Sequence, residues 1–440
     1  MSLAGSSNSN TQAQAPPAEQ PPPVEQVLQE IVNNPGAAVL SKLLKSYPSK
    51  DKDVRDNALR EWALEGQDPL SVLDPVTNTV GFVYLLAARS EPRSSRKPAL
   101  VDVERFCAHF IPEHARLAPE RLMTFATCLS TSWDPNPHLL LGPLFDLVTR
   151  YPPTPSHLTA LHPAFLRLCV RTHHYSAALP VLSHPILHIE TSISPLTYND
   201  NLIYHYAGGC ALGGLKKWRE AEEFFEICAS APGQAAAAIQ LEALKKLTLV
   251  QLILYGKAIP PPKYTHPTLV RLSKNSPYGN LARMYPAPSA ELQAFVTKNL
   301  EVFRLNAGLV EQVVARAPRW LIKKLTSTYL TLNLSDIAKQ VQSNTEQIRS
   351  TIIDTGEVNA SISLDDTVTF SDTVTQFTKE DVESALTEAQ EQAKLLFKLE
   401  REMQLNKEYL AKALKHKDEG SGGFDDEVGF SSWAEESMFG

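Results

Sequence analysis

The sequence predicts a mostly α-helical protein: an α-solenoid of helical hairpin repeats, then a winged helix, then one long C-terminal helix. Three observations predict this class. Between residues 24 and 318, apolar stripes at helical spacing alternate with breaks rich in Pro, Gly or Asn. Between 319 and 372, three helical patterns precede two stretches in which apolar and polar residues alternate. Between about 378 and 415, apolar residues recur every seven positions.

The chain begins with a segment that offers little to bury. Residues 1–23 are mostly Ser, Asn, Gln, Ala and Pro, and we expect a disordered head. The first helical stripe starts at Val24, and N-terminal helical repeats are predicted over 24–196.

A second group of helical repeats is predicted over 197–318. An aromatic residue followed three positions later by Ala occurs at Tyr175 and recurs at Trp218, which supports a repeat of helix pairs. Small residues should let a neighbouring helix approach closely, and they are Ala207, Gly208, Gly209 and Ala211.

The winged helix is predicted over 319–372. A first helix is expected over Arg319–Leu332, and a short second helix after Ser335, a favourable N-cap residue. A third helix should begin at Ser343 with a capping box. Gly356 is expected to end it in the left-handed conformation.

A two-stranded hairpin is predicted around the turn residues Asp365 and Asp366. Apolar side chains should face each other across the hairpin, which requires an odd number of loop residues. We therefore predict a three-residue loop, 365–367, that pairs Leu364 with Val368 and Ile362 with Phe370. The exposed edge is a candidate for strand addition by a partner. The wing residues predicted at that contact are Ile362, Leu364, Val368 and Phe370.

The charges argue against nucleic-acid binding through the third helix. Glu346, Asp354 and Glu357 stand against one Arg349, whereas a helix that enters the groove of a polyanion needs the opposite balance. The net charge of the whole chain is -7. A winged helix used for protein contacts is the favoured interpretation.

One long helix, about 378–415, is predicted within a C-terminal bundle segment, 373–416. Strict seven-residue spacing is typical of a helix in a supercoiled bundle. Gln392 and Asn406 interrupt the seam and favour a mixed bundle over a homodimer. The predicted partner-binding residues of this helix are Val382, Ala389, Leu396, Leu399, Met403 and Leu410. A disordered acidic tail with interspersed aromatic residues is expected over 417–440.

No pattern of catalytic or metal-binding residues is visible. The sequence has no His-x-His pair, no HExxH motif and no glycine-rich phosphate loop. Its cysteines lack zinc-ribbon spacing, and they stand at 107, 128, 169, 210 and 228. We therefore expect no enzyme activity, no metal, no cofactor and no small-molecule ligand.

The cysteine count and the apolar runs of the sequence also predict the cellular compartment and the absence of membrane contact. An odd number of cysteines in a long chain favours reduced thiols, hence the cytoplasm and nucleus. The N-terminus lacks the apolar core of a signal peptide. The apolar run Phe82–Ala88 is too short to span a bilayer, so no membrane contact is expected.

Three stretches carry a resemblance to a known family. They are "YHYAGGCALGGLKKWREAEEFFEIC" at 204–228, "LEALKKLTLVQLILYGKAIPPPKYT" at 241–265, and 325–371 with "LTSTYLTLNLSDIAKQVQ" and "IIDTGEVNASIS". Together with the order of elements they resemble the PCI family, and within it the subunits of the COP9 signalosome. The resemblance implies a PCI domain over 197–372, made of helical repeats and the winged helix.

The resemblance further implies a non-catalytic scaffold subunit. The COP9 signalosome removes Nedd8 from cullin-RING ubiquitin ligases, and its PCI subunits assemble through winged-helix edges and a bundle of C-terminal helices. Implied partners are therefore other signalosome subunits and, indirectly, cullin-RING ligases. The alternative is a PCI scaffold subunit of the proteasome lid or of a translation initiation factor complex, which the architecture alone does not separate.

Overall fold

The computed structural model describes residues 24–33, 36–46, 51–61, 66–133, 135–355, 360–371 and 378–412. The chain divides into two compact units, Met1–Phe370 and Ser371–Gly440. The described residues are mostly helical, which confirms the predicted helical-repeat class. The predicted head and acidic tail, and Gly356 and Glu357, lie outside the described residues.

The N-terminal region is built around one helix that is buried on all sides. Every residue of Thr79–Ser90, α5, is buried, and α5 packs against α2, α3 and α8. The apolar run seen in the sequence is therefore a central core helix. The helices of this region are α1 (Val24–Asn33), α2 (Ala37–Ser46), α3 (Lys52–Arg60), α4 (Pro69–Val72), α5 (Thr79–Ser90), α6 (Leu100–His109), α7 (Pro112–Ala115), α8 (Pro119–Ser132), α9 (Leu141–Arg150), α10 (Leu161–Arg171) and α11 (Leu179–Leu182).

Two short strands, β1 (His157–Leu158) and β2 (His188–Ile189), pair in parallel within this helical region. The sequence did not predict them, because two residues are too few to show alternation.

Close packing through small residues is confirmed in the next three helices, α12 (Tyr198–Gly214), α13 (Trp218–Ser230) and α14 (Ala238–Tyr255). A Cβ on Gly208 would lie 2.7 Å from the Phe224 ring, and one on Gly209 would lie 2.8 Å from the Phe225 ring. Both rings belong to α13. The absence of a side chain at these two positions therefore sets the distance between α12 and α13.

The hydrophobic core is continuous across the predicted boundary at 196/197. Tyr204 and Ala207 of α12 belong to the same core cluster as the helices before them. Later clusters are each formed by segments close in sequence, as in stacked helical repeats.

Five helices lead from the repeats to the sheet: α15 (Pro267–Lys274), α16 (Pro277–Met284), α17 (Ser289–Lys298), α18 (Leu300–Phe303) and α19 (Ala307–Thr326). The predicted helix Arg319–Leu332 is wrong at both ends. Helix α19 begins twelve residues earlier and contains Pro318. It ends at Thr326, because Thr331–Asn333 form a strand, β3.

The remainder of this unit holds α20 (Leu334–Val341), α21 (Thr345–Thr355), β4 (Ala360–Ile362) and β5 (Thr367–Phe370). The sheet is antiparallel with the order β3-β5-β4, so the predicted two-stranded hairpin gains a third strand. Both predicted N-caps are displaced by one or two residues. Asn333 Oδ1 accepts from Ser335 N at 3.0 Å, and Asn344 Oδ1 accepts from Gln347 N at 2.7 Å.

The predicted register of the hairpin is wrong. Ile362 pairs with Val368, and Ala360 pairs with Phe370. The pairing is displaced by two residues from the predicted one, which joined Leu364 to Val368. Apolar residues still face apolar residues, so the alternation predicted the correct face of the hairpin and the wrong pairing position.

The cause lies in the loop, which has three residues as predicted but spans 364–366. Ser363 N donates to Thr367 O at 2.9 Å, and Asp366 N donates to Ser363 O at 3.1 Å. Asp366 has φ 59°, a left-handed conformation that Asp tolerates at the end of such a turn. Arg349 of α21 also forms an ion pair with Asp366.

In the second unit, α22 spans Lys379–Leu405 and begins with a capping box between Thr378 and Asp381. It is shorter than the predicted helix because Asn406 ends it. Asn406 leaves the helical conformation, with ψ 115°, and its Oδ1 accepts from Glu408 N at 2.9 Å. Asn406 therefore caps a separate helical stretch at 407–412 instead of lying on a continuous seam.

Candidate interaction surfaces

The described titratable side chains do not gather into a metal-binding group. Within the described ranges, no group of three or more His, Cys, Asp or Glu residues is placed to hold a metal ion. Burial raises the pKa of Cys169 and of Cys228 to about 12, so both thiols stay protonated and unreactive. None of the described helices is long and apolar enough to cross a membrane.

The most conspicuous surface is the apolar face of α22. None of its described side chains is buried, although it carries Leu, Phe and Met residues at helical spacing. Val382 is 45% exposed, Leu396 59% and Met403 49%. Exposed apolar area on this scale, along one helix, is typical of an interaction surface.

The predicted partner-binding residues of α22 form one stripe with neighbours that the heptad missed. Within α22, Val382, Ala389, Leu396 and Met403 repeat every seven residues, and Leu399 is half-buried beside them. Leu386 and Phe397 are 57% and 68% exposed and widen the stripe. The i,i+4 step from Val382 to Leu386 was the signal that could have identified this wider face. Leu410 lies beyond the break at Asn406, at 42% exposure.

The opposite face of α22 is polar. Lys398 pairs there with Glu402 at 3.8 Å, at the i,i+4 spacing. This exposed pair adds little stability. It lies on the side of the helix that faces water, which leaves the apolar stripe as the side that suits a partner.

A second surface is the outer edge of the sheet at β4. Ser363 and Thr367 form a hydrogen-bonded pair, so Ser361, two residues away, also faces β5 with its backbone. Ala360 and Ile362 therefore turn their N–H and C=O groups outwards. No described strand pairs with that edge. Such an edge accepts an added strand from another chain.

The predicted wing residues are not equally available. Val368 and Phe370 are 0% and 6% exposed, because β5 is the central strand and they fill the core beneath the sheet. Ile362 is half-buried. Leu364 lies at the loop tip and is fully exposed. A partner at this edge therefore meets the β4 backbone and Leu364.

The third helix, α21, has no free cation that would attract a polyanion. Its Arg349 is occupied by the ion pair with Asp366, and Glu346 is exposed.

One family model and two relatives match the chain. The family model described as "COP9 signalosome complex subunit 3, N-terminal helical repeats" matches residues 44–269. The chain is 29% identical to COP9 signalosome complex subunit 3 of Drosophila melanogaster over 395 residues, which cover 82% of this chain and 88% of the relative. It is also 29% identical to COP9 signalosome complex subunit 3 of Dictyostelium discoideum over 327 residues, which cover 70% of this chain and 77% of the relative.

Proposed function

The chain belongs to the family of COP9 signalosome subunit 3 proteins, and on this premise we propose that it is a non-catalytic scaffold subunit of the COP9 signalosome. Both relatives carry that subunit's name and are matched over most of their length. The proposed complex removes Nedd8 from cullin-RING ubiquitin ligases, in the cytoplasm and nucleus. The proposed direct partners are other subunits of the complex.

We assign the segment from α19 to β5 as the winged helix of a PCI domain. The order helix, strand, two helices and two strands supports this assignment. So does its separate core, in which Ile337, Ile348 and Val368 are 0% exposed. In the proposed complex, the β4 edge receives a strand edge of a neighbouring PCI subunit.

The exposed stripe of α22 carries the assembly proposal. Most helical stability in proteins comes from packing of an apolar face, and no described side chain of α22 is buried, so a partner would supply that packing. Leu396 and Met403 are about half exposed, so each can contribute roughly 1 kcal/mol on burial. Several such residues along one stripe suit a bundle with helices from other subunits.

The experiment replaces Leu396, Leu399 and Met403 by Glu in the tagged full-length chain and measures recovery of the complex by native mass spectrometry. Three carboxylates in an apolar interface cost several kcal/mol, so we expect the subunit to be lost from the complex. Circular dichroism should show that the helical repeats remain folded.

The matched control changes Ser384 and Lys394 to Glu. It lowers the net charge of α22 by the same three units, but at exposed positions on the polar face. We expect this variant to assemble at the stoichiometry of the unmodified chain. Assembly of both variants would show that α22 does not hold the subunit, and loss of both would assign the effect to charge alone.

The non-catalytic role has its own test. The purified chain, incubated alone with a neddylated cullin, should release no Nedd8, whereas the reconstituted complex should release it. Cleavage by the chain alone at the rate of the complex would contradict the proposed role.

A further inference from the structure

One basic stretch of the chain has no part in the proposed assembly role. Residues 243–290 contain seven Lys and Arg residues and neither Asp nor Glu, in a chain whose net charge is -7. The net charge of these 48 residues is therefore positive, opposite in sign to that of the whole chain. The fold gathers part of it around one groove.

This basic groove lies between the end of α14, the segment 258–265, α15 and α16. A cavity of about 610 Å³ forms its inner part, with Leu244, Leu247 and Ile259 among the lining side chains. A cavity of about 500 Å³ adjoins it and shares Pro261 and Val270. The lining thus joins an aliphatic floor to a rim of charged residues.

Four cations stand around the groove: Lys263, Arg271, Lys274 and Arg283. All four are exposed. Arg283 is held in place by backbone oxygens, since its guanidinium donates to Gly279 O and to Lys274 O, each at 3.3 Å. Among the described residues, none of these four cations forms an ion pair with an Asp or Glu side chain. Their charge is therefore directed at the groove and the solvent.

A buried hydroxyl at the groove also lacks a partner. Thr265 lines the outer cavity, is 3% exposed, and its Oγ1 has no hydrogen-bond partner among the described residues. Buried polar atoms are nearly always satisfied, so this hydroxyl is free to bond to a group that enters the groove.

The walls are preformed. Pro260, Pro261 and Pro262 lie along the groove, and Pro267 begins α15 on its other side. Proline fixes the backbone, so binding orders little of the protein. The described lining of the two cavities includes no Phe, Tyr or Trp, so the bases of a single-stranded nucleic acid have no ring to stack on.

We propose that the basic groove binds an extended acidic peptide segment of a partner protein. Carboxylates of the peptide pair with Lys263, Arg271 and Lys274, and aliphatic side chains enter the inner cavity. A peptide carbonyl or carboxylate near Thr265 accepts a hydrogen bond from its hydroxyl. This proposal is independent of the assembly role of α22.

The test is fluorescence anisotropy with the full-length chain and labelled twelve-residue probes. The acidic probe repeats Asp-Glu-Leu-Asp-Glu-Val, and the neutral probe has Asn and Gln in place of Asp and Glu. A twelve-nucleotide oligouridine is the third probe. The proposal expects saturable, salt-sensitive binding of the acidic peptide at least ten-fold tighter than of the other two. Tighter binding of oligouridine, or equal binding of the two peptides, would overturn it.

Two variants locate the site. Lys263→Gln with Arg271→Gln should weaken acidic-peptide binding at least ten-fold. The matched control, Lys42→Gln with Lys45→Gln, removes the same charge from exposed positions of α2 and should change binding less than two-fold. Equal losses in both would show attraction to overall charge, and would overturn the assigned location.

The Thr265→Val variant tests the role of the hydroxyl through two measurements, the melting temperature of the free chain and its affinity for the peptide. Because the hydroxyl is unsatisfied in the free chain, its removal should leave the melting temperature of the free chain equal or higher. The same variant should weaken peptide binding several-fold. A lower melting temperature with unchanged peptide affinity would mean that the hydroxyl serves the fold and not the groove.

Discussion

Replacing Gly256 by Ala should destabilise the chain through one specific contact. Gly256 follows α14 with φ 69°, and its N–H donates to Leu252 O at 3.1 Å, which closes the helix. A Cβ at this position would lie 2.5 Å from Cδ2 of Trp320 in α19. Because Trp320 packs against the core formed by α14 and by α16 to α19, its indole ring cannot move freely.

Two costs add in this variant. The left-handed conformation costs a non-Gly residue about 1–2 kcal/mol. Displacing a packed ring costs a further ~1–3 kcal/mol, as overpacking does in other cores. We therefore expect a total loss of about 2–5 kcal/mol in the free energy of unfolding, measured by urea denaturation followed by circular dichroism.

Gly66→Ala is the matched control. Gly66 has φ 71°, and a Cβ there would meet nothing within 4 Å, so only the backbone cost of about 1–2 kcal/mol is expected. In a double-mutant cycle, Trp320→Leu should remove most of the extra cost of Gly256→Ala. Equal losses at the two glycines, or no coupling with Trp320, would refute the reasoning.

Three further predictions follow from single sites. Burial lowers the pKa of His162 to about 4, below its unfolded value of about 6.5. The free energy of unfolding should therefore fall by roughly 3 kcal/mol as the pH drops from 6.5 to 4, because the unfolded chain binds the proton first. His162→Gln should reduce this loss in urea titrations at pH 7 and 4.5. Arg121 binds both carboxylate oxygens of buried Asp56, at 2.9 and 2.7 Å; Arg121→Met should cost about 3–5 kcal/mol, and Arg121→Met with Asp56→Leu should recover most of it in denaturant melts. Asn406→Leu removes the residue that ends α22, so ellipticity at 222 nm should become more negative, and an unchanged spectrum would contradict the capping role.

The sequence predicted those parts of the fold that depend on periodicity and residue size. The apolar run at 82–88 became a buried helix, and Gly208 and Gly209 became the close contact between α12 and α13. Both follow from which side chains must leave water and how much space they need.

The errors lie where a single local hydrogen bond decides the outcome. Asn406 ended a helix that a seven-residue pattern would have continued, because its side chain caps the next turn. Pro318 stands inside α19, where a sequence rule would place a boundary. Strand β3 depends on pairing with β5, which is distant in sequence, so local alternation could not reveal it.

The candidate surfaces were predicted only in part. The heptad identified Leu396 and Met403 on an exposed stripe but omitted Leu386 and Phe397, because it considered two positions per heptad. The prediction placed Val368 at the partner contact of the wing. Val368 is instead buried, because β5 is the central strand of the sheet, and the strand order is not visible in the local sequence.

Affinity purification of the tagged full-length chain from cells, followed by mass spectrometry, tests membership of the signalosome most directly. We predict recovery of the other signalosome subunits in equal stoichiometry, with cullins present at lower amounts. Recovery of proteasome ATPases or of ribosomal and initiation-factor proteins, without signalosome subunits, would contradict the account.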